Sequence, residues 1–435
     1  MINFKIGYNM NNFLLNSKNI NKSTYIWNMI GSMLNAFQSV IFLMILTRVS
    51  DLSDSGIFTI AFADANLFLL IGKYGVRYFQ ASDVQGNYDF HNYCKTRALT
   101  TIIMILVSIL YTVITARVIG YSSYKIWIII WMCLFKVPDA IEDVFYGEYQ
   151  RKDRLDVASK VWSIRLILTI LIFVLALFVT GNLLVSLIVT TIFTTALMMV
   201  LLWRTRVLLK VDEAGASLER TDTEKSRSAY ALLLDTFPLF LSTFLAFYVL
   251  NAPKYAIDAL MTDEIQACFG FIAMPVFVVS LLTSMIYNPV IHKMSNCWNS
   301  GEMKAFNSEV WKQFMCVVLI TLGCILGADL IGIPVLSLLY STDLKDYKTT
   351  LIILLAGGGF YAACNWLYAV LTIMRKQNYM LIGYILISIL ALLYMNLITR
   401  KFGVEGVSYL FSGLMALLML ICFLIYFIAY RRKKT

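Results

Sequence analysis

The sequence predicts an all-α polytopic membrane protein with about twelve transmembrane helices in two six-helix lobes. Apolar stretches of about 20 residues follow one another from residue 24 to residue 430, and each is long enough to cross a ~30 Å hydrocarbon core as a helix. Hydrophobic residues make up 60% of the chain and charged residues only 14%, against about 25% in soluble domains. Because every backbone amide in lipid must be satisfied internally, such a chain forms a helix bundle.

The apolar stretches place the helices in order along the chain. We predict that the ninth region, 310–340, is broken, since it is long and contains Pro334. Two short segments there, or an N-terminal stretch lying on the membrane, would raise the count to thirteen or fourteen. The predicted helices are 24–47, 54–76, 96–117, 124–148, 156–180, 183–203, 230–252, 264–290, 310–340, 349–374, 378–399 and 404–430.

Lys and Arg residues set the predicted orientation. They concentrate in alternate loops, such as 151–154, and in the tail 431–434, whereas the intervening loops keep few, Arg48 and Arg117 among them. By the positive-inside rule both termini are therefore expected to be cytoplasmic. The same bias accounts for most of the net charge of +10, so we expect no nucleic-acid partner.

Several function classes are disfavoured. The first twenty residues lack the apolar core and cleavage site of a signal peptide. The eight cysteines are scattered singly, and His91 lies far along the chain from His292, so neither a disulfide framework nor a metal site is predicted. The predicted external loops are short, which argues against a membrane enzyme with catalytic loops.

The longest polar interval divides the chain into halves of about six helices. We predict a cytoplasmic linker at 204–229, and two bundles joined in this way are the usual construction of a transporter. A long loop without that role is the alternative, since the halves share no residue-level repeat. The predicted parts are a cytoplasmic segment 1–23, an N-lobe 24–203, the linker, a C-lobe 230–430 and a basic tail 431–435.

Polar side chains recur on one face of the first two predicted helices. Asn28 and Asn35 belong to a stripe at spacings of four, three and four residues, and Asn66 shares a face with Lys73 on the second helix, with Asp64 opposite. The stripes predict a water-accessible cavity. Interhelical hydrogen bonding is the alternative for the Asn residues, and snorkelling to the interface is the alternative for Lys73.

The fourth predicted helix carries the strongest polar pattern. Its polar residues repeat at three, four, three and four residues, and Pro138 is expected to kink the helix between the first two. Such a face does not suit lipid. The residues of this stripe are Lys136, Asp139, Asp143, Tyr146 and Gln150.

Ionisable groups inside a membrane are costly, so each needs a partner or a function. We expect Asp139 to pair with Lys136, and Glu142 or Asp143 to meet Arg165 of the fifth helix. Two readings stay open for this cluster. It either locks helices four and five together, or it provides a cationic or protonatable lining for a translocation path.

The C-terminal half contains further candidates. Asn251, Lys254 and Asp258 share a face at the end of the seventh helix, with Lys254 and Asp258 spaced as an i,i+4 pair, and Asp235 lies in its cytoplasmic half. Pro and Gly residues predict helix breaks that would suit a protein that bends. Those residues are Pro275, Pro289, Pro334 and Gly357, Gly358 and Gly359.

Several short segments follow one another in a recognisable order. They are Leu46-Thr47-Arg48 with Gly56-Ile57-Phe58, then 74–83 (YGVRYFQASD), 141–150 (IEDVFYGEYQ), 154–158 (RLDVA) with Ile164-Arg165, and 251–258 (NAPKYAID). Together they resemble segments of Wzx-type polysaccharide flippases of the multidrug/oligosaccharidyl-lipid/polysaccharide exporter superfamily. The likeness covers most of the first 300 residues, while the C-terminal third matches only in hydropathy.

The resemblance implies a MATE/MurJ-like fold with two six-helix lobes, a V-shaped central cavity and alternating access. It implies a flippase of the bacterial cytoplasmic membrane that moves undecaprenyl-diphosphate-linked oligosaccharide to the outer leaflet for capsule or surface polysaccharide. Membrane lipids are expected partners, with a polysaccharide polymerase and glycosyltransferases as further candidates. Related lipid II flippases carry an arginine-aspartate pair where this chain reads Leu52-Ser53-Asp54, which favours the polysaccharide branch.

Such a cargo needs a cationic, hydrated cavity. The cations expected to meet phosphate or acidic sugars are Arg48, Lys73, Arg77, Lys136, Arg165 and Lys254. We expect no bound cofactor, but proton or sodium coupling is a candidate role for buried carboxylates. The carboxylates concerned are Asp64, Asp139, Asp143 and Asp235.

Three other functions compete with this reading. A MATE-like, cation-coupled drug exporter would have the same fold and would bind organic cations through carboxylates, but here basic groups accompany the acidic clusters. A polymerase or ligase would need a large external loop. A non-transporting scaffold in a polysaccharide assembly complex is the third alternative.

Overall fold

A computed structural model describes residues 12–83, 88–208, 228–376 and 378–434. All regular secondary structure in these residues is helical, so the predicted all-α fold class is confirmed. The helices are α1 (Ile20–Val49), α2 (Leu52–Lys73), α3 (Val76–Ser82), α4 (Phe90–Ile119), α5 (Ser123–Phe135), α6 (Val137–Arg151), α7 (Leu155–Thr180), α8 (Leu183–Thr205), α9 (Ala229–Leu260), α10 (Asp263–Tyr287), α11 (Ile291–Asn299), α12 (Met303–Gly327), α13 (Ile333–Tyr340), α14 (Lys348–Ile373) and α15 (Asn378–Lys434).

Within the described residues, ten helical segments are long and apolar enough to cross a membrane. Two features reconcile ten segments with twelve predicted helices. The predicted helix 124–148 is divided into α5 and α6, of 13 and 15 residues, each shorter than one span. The last segment, α15, has 57 residues and holds both predicted helices 378–399 and 404–430.

A single glycine divides α15 into two antiparallel parts. Gly403 has φ +64° and ψ −151°, a backbone conformation almost confined to glycine. The parts pack back on each other, since the Cys422 Sγ atom lies 3.3 Å from the Met380 Sδ atom. The tight turn at Gly403 therefore makes α15 a helical hairpin.

The chain forms two compact units. Unit 1 comprises described residues in 12–50 and 61–240, and unit 2 those in 51–60 and 241–434. The start of α2 therefore belongs to unit 2, and the start of α9 belongs to unit 1. Most of the linker predicted at 204–229 lies outside the described residues.

The long helices bury hydroxyl groups and expose apolar side chains. On α4, Thr100, Ser108 and Thr112 are buried, whereas Leu106 and Leu110 are more than 60% exposed. The Thr112 hydroxyl donates to the Ser108 carbonyl at 2.7 Å, so burial leaves no donor unsatisfied there. Such an arrangement suits lipid, where outward apolar residues cost nothing and small polar residues let helices approach.

The three consecutive glycines do not break α14, contrary to the prediction. The helix runs through them without interruption, and each glycine admits a different neighbouring helix. A Cβ atom at Gly357 would lie 2.6 Å from the Ser412 Oγ atom, one at Gly358 would lie 3.0 Å from Val276 Cγ1, and one at Gly359 would lie 2.2 Å from Thr321 Cγ2. Since successive helical residues point about 100° apart, three glycines in a row serve three contacts.

The prolines behave in three ways. The break predicted at Pro275 is absent, since this residue lies inside a continuous α10, whereas Pro289 falls in a 3₁₀ turn, Asn288–Val290, after that helix. The predicted break in 310–340 takes the form of a π-helical segment, Ala328–Gly332, just before Pro334. All residues from 303 to 340 are helical, so this region forms one continuous helical segment and not two short transmembrane segments. The short helices α3 and α11 were not predicted.

Candidate functional site

The break between α5 and α6 creates a charged centre in unit 1. Pro138 has no N–H to continue the helix, and the Lys136 N–H instead donates to the Cys133 carbonyl at 3.2 Å. Lys136 therefore ends α5, whose carboxyl end favours a cation, and Asp139 lies in the first turn of α6, which favours an anion. The predicted kink is confirmed, but a single continuous helix over 124–148 was wrong.

Asp139 joins two cations. Its Oδ2 atom lies 3.4 Å from Lys136 Nζ, which confirms the expected pair, and its Oδ1 atom accepts from the Arg165 guanidinium. The Lys136 ammonium also donates to Gln38 of α1 at 3.2 Å. The side chains of Lys136 and Arg165 are both 2% exposed, so these are buried charges with their partners in place.

Arg165 of α7 also contacts a second carboxylate. Its Nε atom lies 2.5 Å from Glu142 Oε1, and its Nη1 atom donates to the Thr194 hydroxyl of α8 at 3.1 Å. Glu142 in turn accepts from the Tyr146 hydroxyl at 2.6 Å. Of the two predicted partners, Glu142 and not Asp143 meets Arg165.

Asp143 binds two other arginines. Arg97 of α4, only 2% exposed, donates to Asp143 Oδ2 at 2.6 Å and also donates to the Gly72 carbonyl of α2. Arg77 of α3 lies 3.9 Å from Asp143 Oδ1 and donates to Gln150 at 3.4 Å. Arg77 is about one-third exposed, so water weakens its share of the interaction.

Two segments that carry the family resemblance, 74–83 and 141–150, pack against each other. Gln80 donates to Glu148 at 3.1 Å, and a Cβ atom at Gly147 would lie 2.2 Å from the Gln80 amide oxygen. The left-handed conformations of Tyr74 and Gly75 turn the chain from α2 into α3. The two segments that resemble the flippase family therefore contact each other directly, through Gln80 on one segment and Gly147 and Glu148 on the other.

We call this group the α6 charge cluster. It joins side chains from α3, α4, α6 and α7 to Lys136 at the end of α5, so the ion pairs expected between the fourth and fifth predicted helices are present and extend to further helices. A role in translocation stays a prediction. The cluster consists of Arg77, Arg97, Lys136, Asp139, Glu142, Asp143 and Arg165.

Lys73 and Lys254 differ from these cations. Lys73, at the end of α2, is half-buried and close enough to Asp139 and Lys136 to act on both electrostatically. Lys254 of α9, in unit 2, is also half-buried. Neither forms an ion pair with any carboxylate in the described part of the chain, so the expected Lys254–Asp258 pair is absent there.

The remaining predicted residues lie apart from the cluster. Arg48 is exposed and donates to the Met44 carbonyl of its own helix. Asp64 is buried on α2, and Asp235 accepts from the Tyr88 hydroxyl at 2.8 Å. Among the described residues, no three His, Cys, Asp or Glu side chains are grouped as metal ligands.

The predicted polar stripe of α1 lies largely on the exposed side of the helix, and its role in lining a cavity stays a prediction. Asn28 and Asn35 are both exposed, and they lie within about 20° of each other around the helix axis. Met33 is exposed on a different side, about 160° from Asn35. Asn66 of α2 is half-buried and donates to the Phe62 carbonyl at 2.7 Å, a bond within its own helix.

Sequence reasoning missed Arg97 and Gln38 as members of the buried polar centre. Arg97 lies near the start of the predicted helix 96–117, where the sequence suggests one of the basic loops that set orientation. Arg97 is buried because it contacts Gly72 of α2 and Asp143 of α6, and no pattern in the neighbouring sequence indicates these contacts. Gln38 lies one residue before Ser39 of the polar stripe on α1, and this was the available signal.

The chain resembles known transporters in structure and not in sequence. No protein-family model matches the sequence, and no curated protein matches it. An inward-facing MATE-family multidrug transporter of the MOP superfamily matches with a TM-score of 0.64 at 12% identity, over 94% of this chain and 98% of that chain. The lipid II flippase MurJ in an inward closed conformation matches with a TM-score of 0.66 at 14% identity, over 95% of this chain and 89% of that chain.

A third structure extends the comparison. The Vibrio cholerae MATE transporter VcmN, as a D35N mutant, matches with a TM-score of 0.60 at 12% identity, over 94% of this chain and 98% of that one. The protein therefore has the fold shared by MATE transporters and MurJ, over nearly its whole length. The predicted MATE/MurJ-like architecture is confirmed.

Proposed function

We propose that this protein is a flippase that moves undecaprenyl-diphosphate-linked oligosaccharide from the cytoplasmic to the outer leaflet by alternating access. The observation that carries the proposal is the charge balance of the α6 charge cluster. Its four cations meet three carboxylates, and Lys73 adds a further positive charge close by. The excess of positive charge comes from the partly exposed Arg77 and Lys73, since the buried cations only balance the three carboxylates, and two partly exposed cations beside a charge cluster suit a diphosphate cargo.

The unpaired lysines are the best candidates to contact the cargo. Lys136 and Arg165 already hold carboxylates, whereas Lys73 and Lys254 have no ion-pair partner among the described residues. A half-buried ammonium without a carboxylate is costly, and a phosphate oxygen would supply the missing charge. Lys73 and Lys254 therefore take precedence over the other predicted substrate cations.

A cation-coupled multidrug exporter of the same fold is the second candidate, since MATE transporters match this structure as well as MurJ does. Exporters of organic cations need carboxylates free to meet the drug. The three carboxylates of the α6 charge cluster each contact Arg or Lys, which favours an anionic cargo. Asp64 and Asp235, together with Asp139 and Asp143, stay candidates for proton or sodium coupling.

The first experiment is deletion of the gene in its bacterial host, followed by analysis of surface polysaccharide and undecaprenyl-linked intermediates. We expect loss of surface polymer, with lipid-linked repeat units accumulating on the cytoplasmic leaflet. Normal polymer with increased sensitivity to cationic drugs would instead favour the exporter. The same outcome would place the protein's step after the glycosyltransferases that build the repeat unit and before the polymerase that joins the units.

Complementation then tests the two lysines. Lys73→Ala and Lys254→Ala should each reduce recovery of surface polymer at least tenfold, while Lys73→Arg and Lys254→Arg keep the charge and most of the function. Lys95→Ala and Lys304→Ala are matched controls, because both lysines are exposed and form no ion pair in the described residues. Full complementation by the Lys73→Ala and Lys254→Ala variants, at equal protein level, would contradict their contact with cargo.

A further inference from the structure

A second basic site lies in unit 1, away from the α6 charge cluster. A cavity of about 320 Å³ opens at the start of α1, between the preceding residues and α7. Lys18, Lys22 and Lys160 line it, together with the aromatic side chains of Phe13 and Trp27. Among the described residues no carboxylate lines the cavity, so the charge of this described lining is positive.

Lys160 is the buried member of this group. It is 4% exposed, and its Nζ atom donates to the Phe13 carbonyl at 2.8 Å and to the Ser17 hydroxyl at 2.9 Å. An ammonium has three N–H donors, so one is left without an acceptor in the described chain. Asp156 acts on Lys160 electrostatically, but its own oxygens contact Arg154 at 3.0 Å and Ser17 at 2.5 Å.

The beginning of α1 adds a second positive field. Asn19 caps the helix by accepting from the Lys22 N–H at 3.0 Å, and the first turn contains no acidic residue. A helix amino end favours anions, yet Lys22 lies in this turn and Lys18 just before it. Neither lysine forms an ion pair in the part of the chain that the structure describes. A bound anion would offset this repulsion.

We infer that this cavity binds a phosphate-bearing anion, and that its source is the headgroup of an anionic phospholipid. Phe13 and Trp27 pack edge to face with ring centroids 5.8 Å apart, and tryptophan is enriched at membrane interfaces. Exposed Ile26 and Met29 continue along α1 from the cavity and offer an apolar surface for an acyl chain.

The test measures binding of soluble dihexanoyl phosphatidylglycerol to the purified full-length protein. Each lysine near an anionic headgroup contributes about fivefold in affinity, so Lys18→Gln/Lys22→Gln should bind about 30-fold more weakly. Lys95→Gln/Lys304→Gln removes the same charge from two exposed sites elsewhere and should bind like the wild type. Lys160 is left intact because it holds the segment around Ser17.

Two further ligands separate the possible sources. Dihexanoyl phosphatidylcholine has the same chains and phosphate but no net charge, and inorganic phosphate has the charge without chains. We expect weak binding of both. The proposed site would be overturned if both double variants bound phosphatidylglycerol equally weakly. It would also be overturned if the wild type bound phosphatidylcholine as tightly as phosphatidylglycerol. Inorganic phosphate bound as tightly as the lipid, and lost in Lys18→Gln/Lys22→Gln, would overturn the lipid source.

Discussion

Arg165 is the residue on which the α6 charge cluster should depend most. Its guanidinium holds Asp139 and Glu142 together and also donates to Thr194 of α8. We consider the change Arg165→Met, which keeps a long unbranched side chain and removes the charge. Glu142 is 1% exposed, so it would lose its cation without gaining water.

The expected cost follows from this geometry. Two unit charges about 4 Å apart attract by about 4 kcal/mol at an effective dielectric constant near 20. Removing one partner of a buried ion pair typically costs about 3–5 kcal/mol, because the other charge is left uncompensated. We therefore expect Arg165→Met to lower the free energy of unfolding by about 3–5 kcal/mol. Adding Glu142→Gln should recover part of that loss, since it removes the stranded charge.

The assay is SDS-induced unfolding of the purified protein in mixed micelles, applied to wild type, both single variants and the double variant. A coupling energy of at least about 1 kcal/mol between positions 142 and 165 is expected for residues in direct contact. Arg117→Met is the control, because Arg117 is exposed and should change stability by no more than about 0.5 kcal/mol. Additive effects of the substitutions at 142 and 165 on the free energy of unfolding would refute a stabilising Arg165–Glu142 pair. A loss of stability in Arg165→Met no larger than that in Arg117→Met would refute it as well.

Two further outcomes test other parts of the structure. Gly359→Ala should destabilise the protein by about 1–3 kcal/mol in the same unfolding assay, because the new Cβ atom would lie 2.2 Å from Thr321. Gly323→Ala is the control, since open space surrounds Gly323, and it should be neutral or slightly stabilising. In a Cys-free background, Asn35→Cys should react with a water-soluble maleimide and Met33→Cys should not. The exposed polar face of α1 is expected to meet water, and the exposed apolar face is expected to meet lipid. Equal labelling of the two variants would contradict a water-filled cavity beside Asn35.

The fold was predictable because lipid imposes one rule on every span. Length and apolarity placed most helices within a few residues, and the helix 183–203, for example, is observed as Leu183–Thr205. Pro138 and the i,i+3 spacing were also enough to predict the kink and the pair between Lys136 and Asp139. These features depend on neighbours along the chain, which a sequence displays directly.

The missed features depend on neighbours across the bundle. The hydropathy of Gly357 to Gly359 cannot show that three other helices approach them, so a break was expected where close packing is observed. Likewise, Arg97 could be recognised as buried only once Asp143 and the Gly72 carbonyl were placed beside it. Both errors concern contacts between helices, which one sequence does not encode in any periodicity.

The turn at Gly403 has a consequence for the chirality of the backbone. Among the described residues a Cβ atom there would meet only Met261 Cε, at 3.6 Å, so space does not exclude a larger residue. The penalty for L-alanine, about 1–3 kcal/mol, arises from the positive φ of the backbone alone. A D-residue favours positive φ, so D-alanine introduced by semisynthesis should keep the hairpin that L-alanine weakens. The final two spans therefore owe their reversal to the handedness permitted at one residue, and not to any side chain.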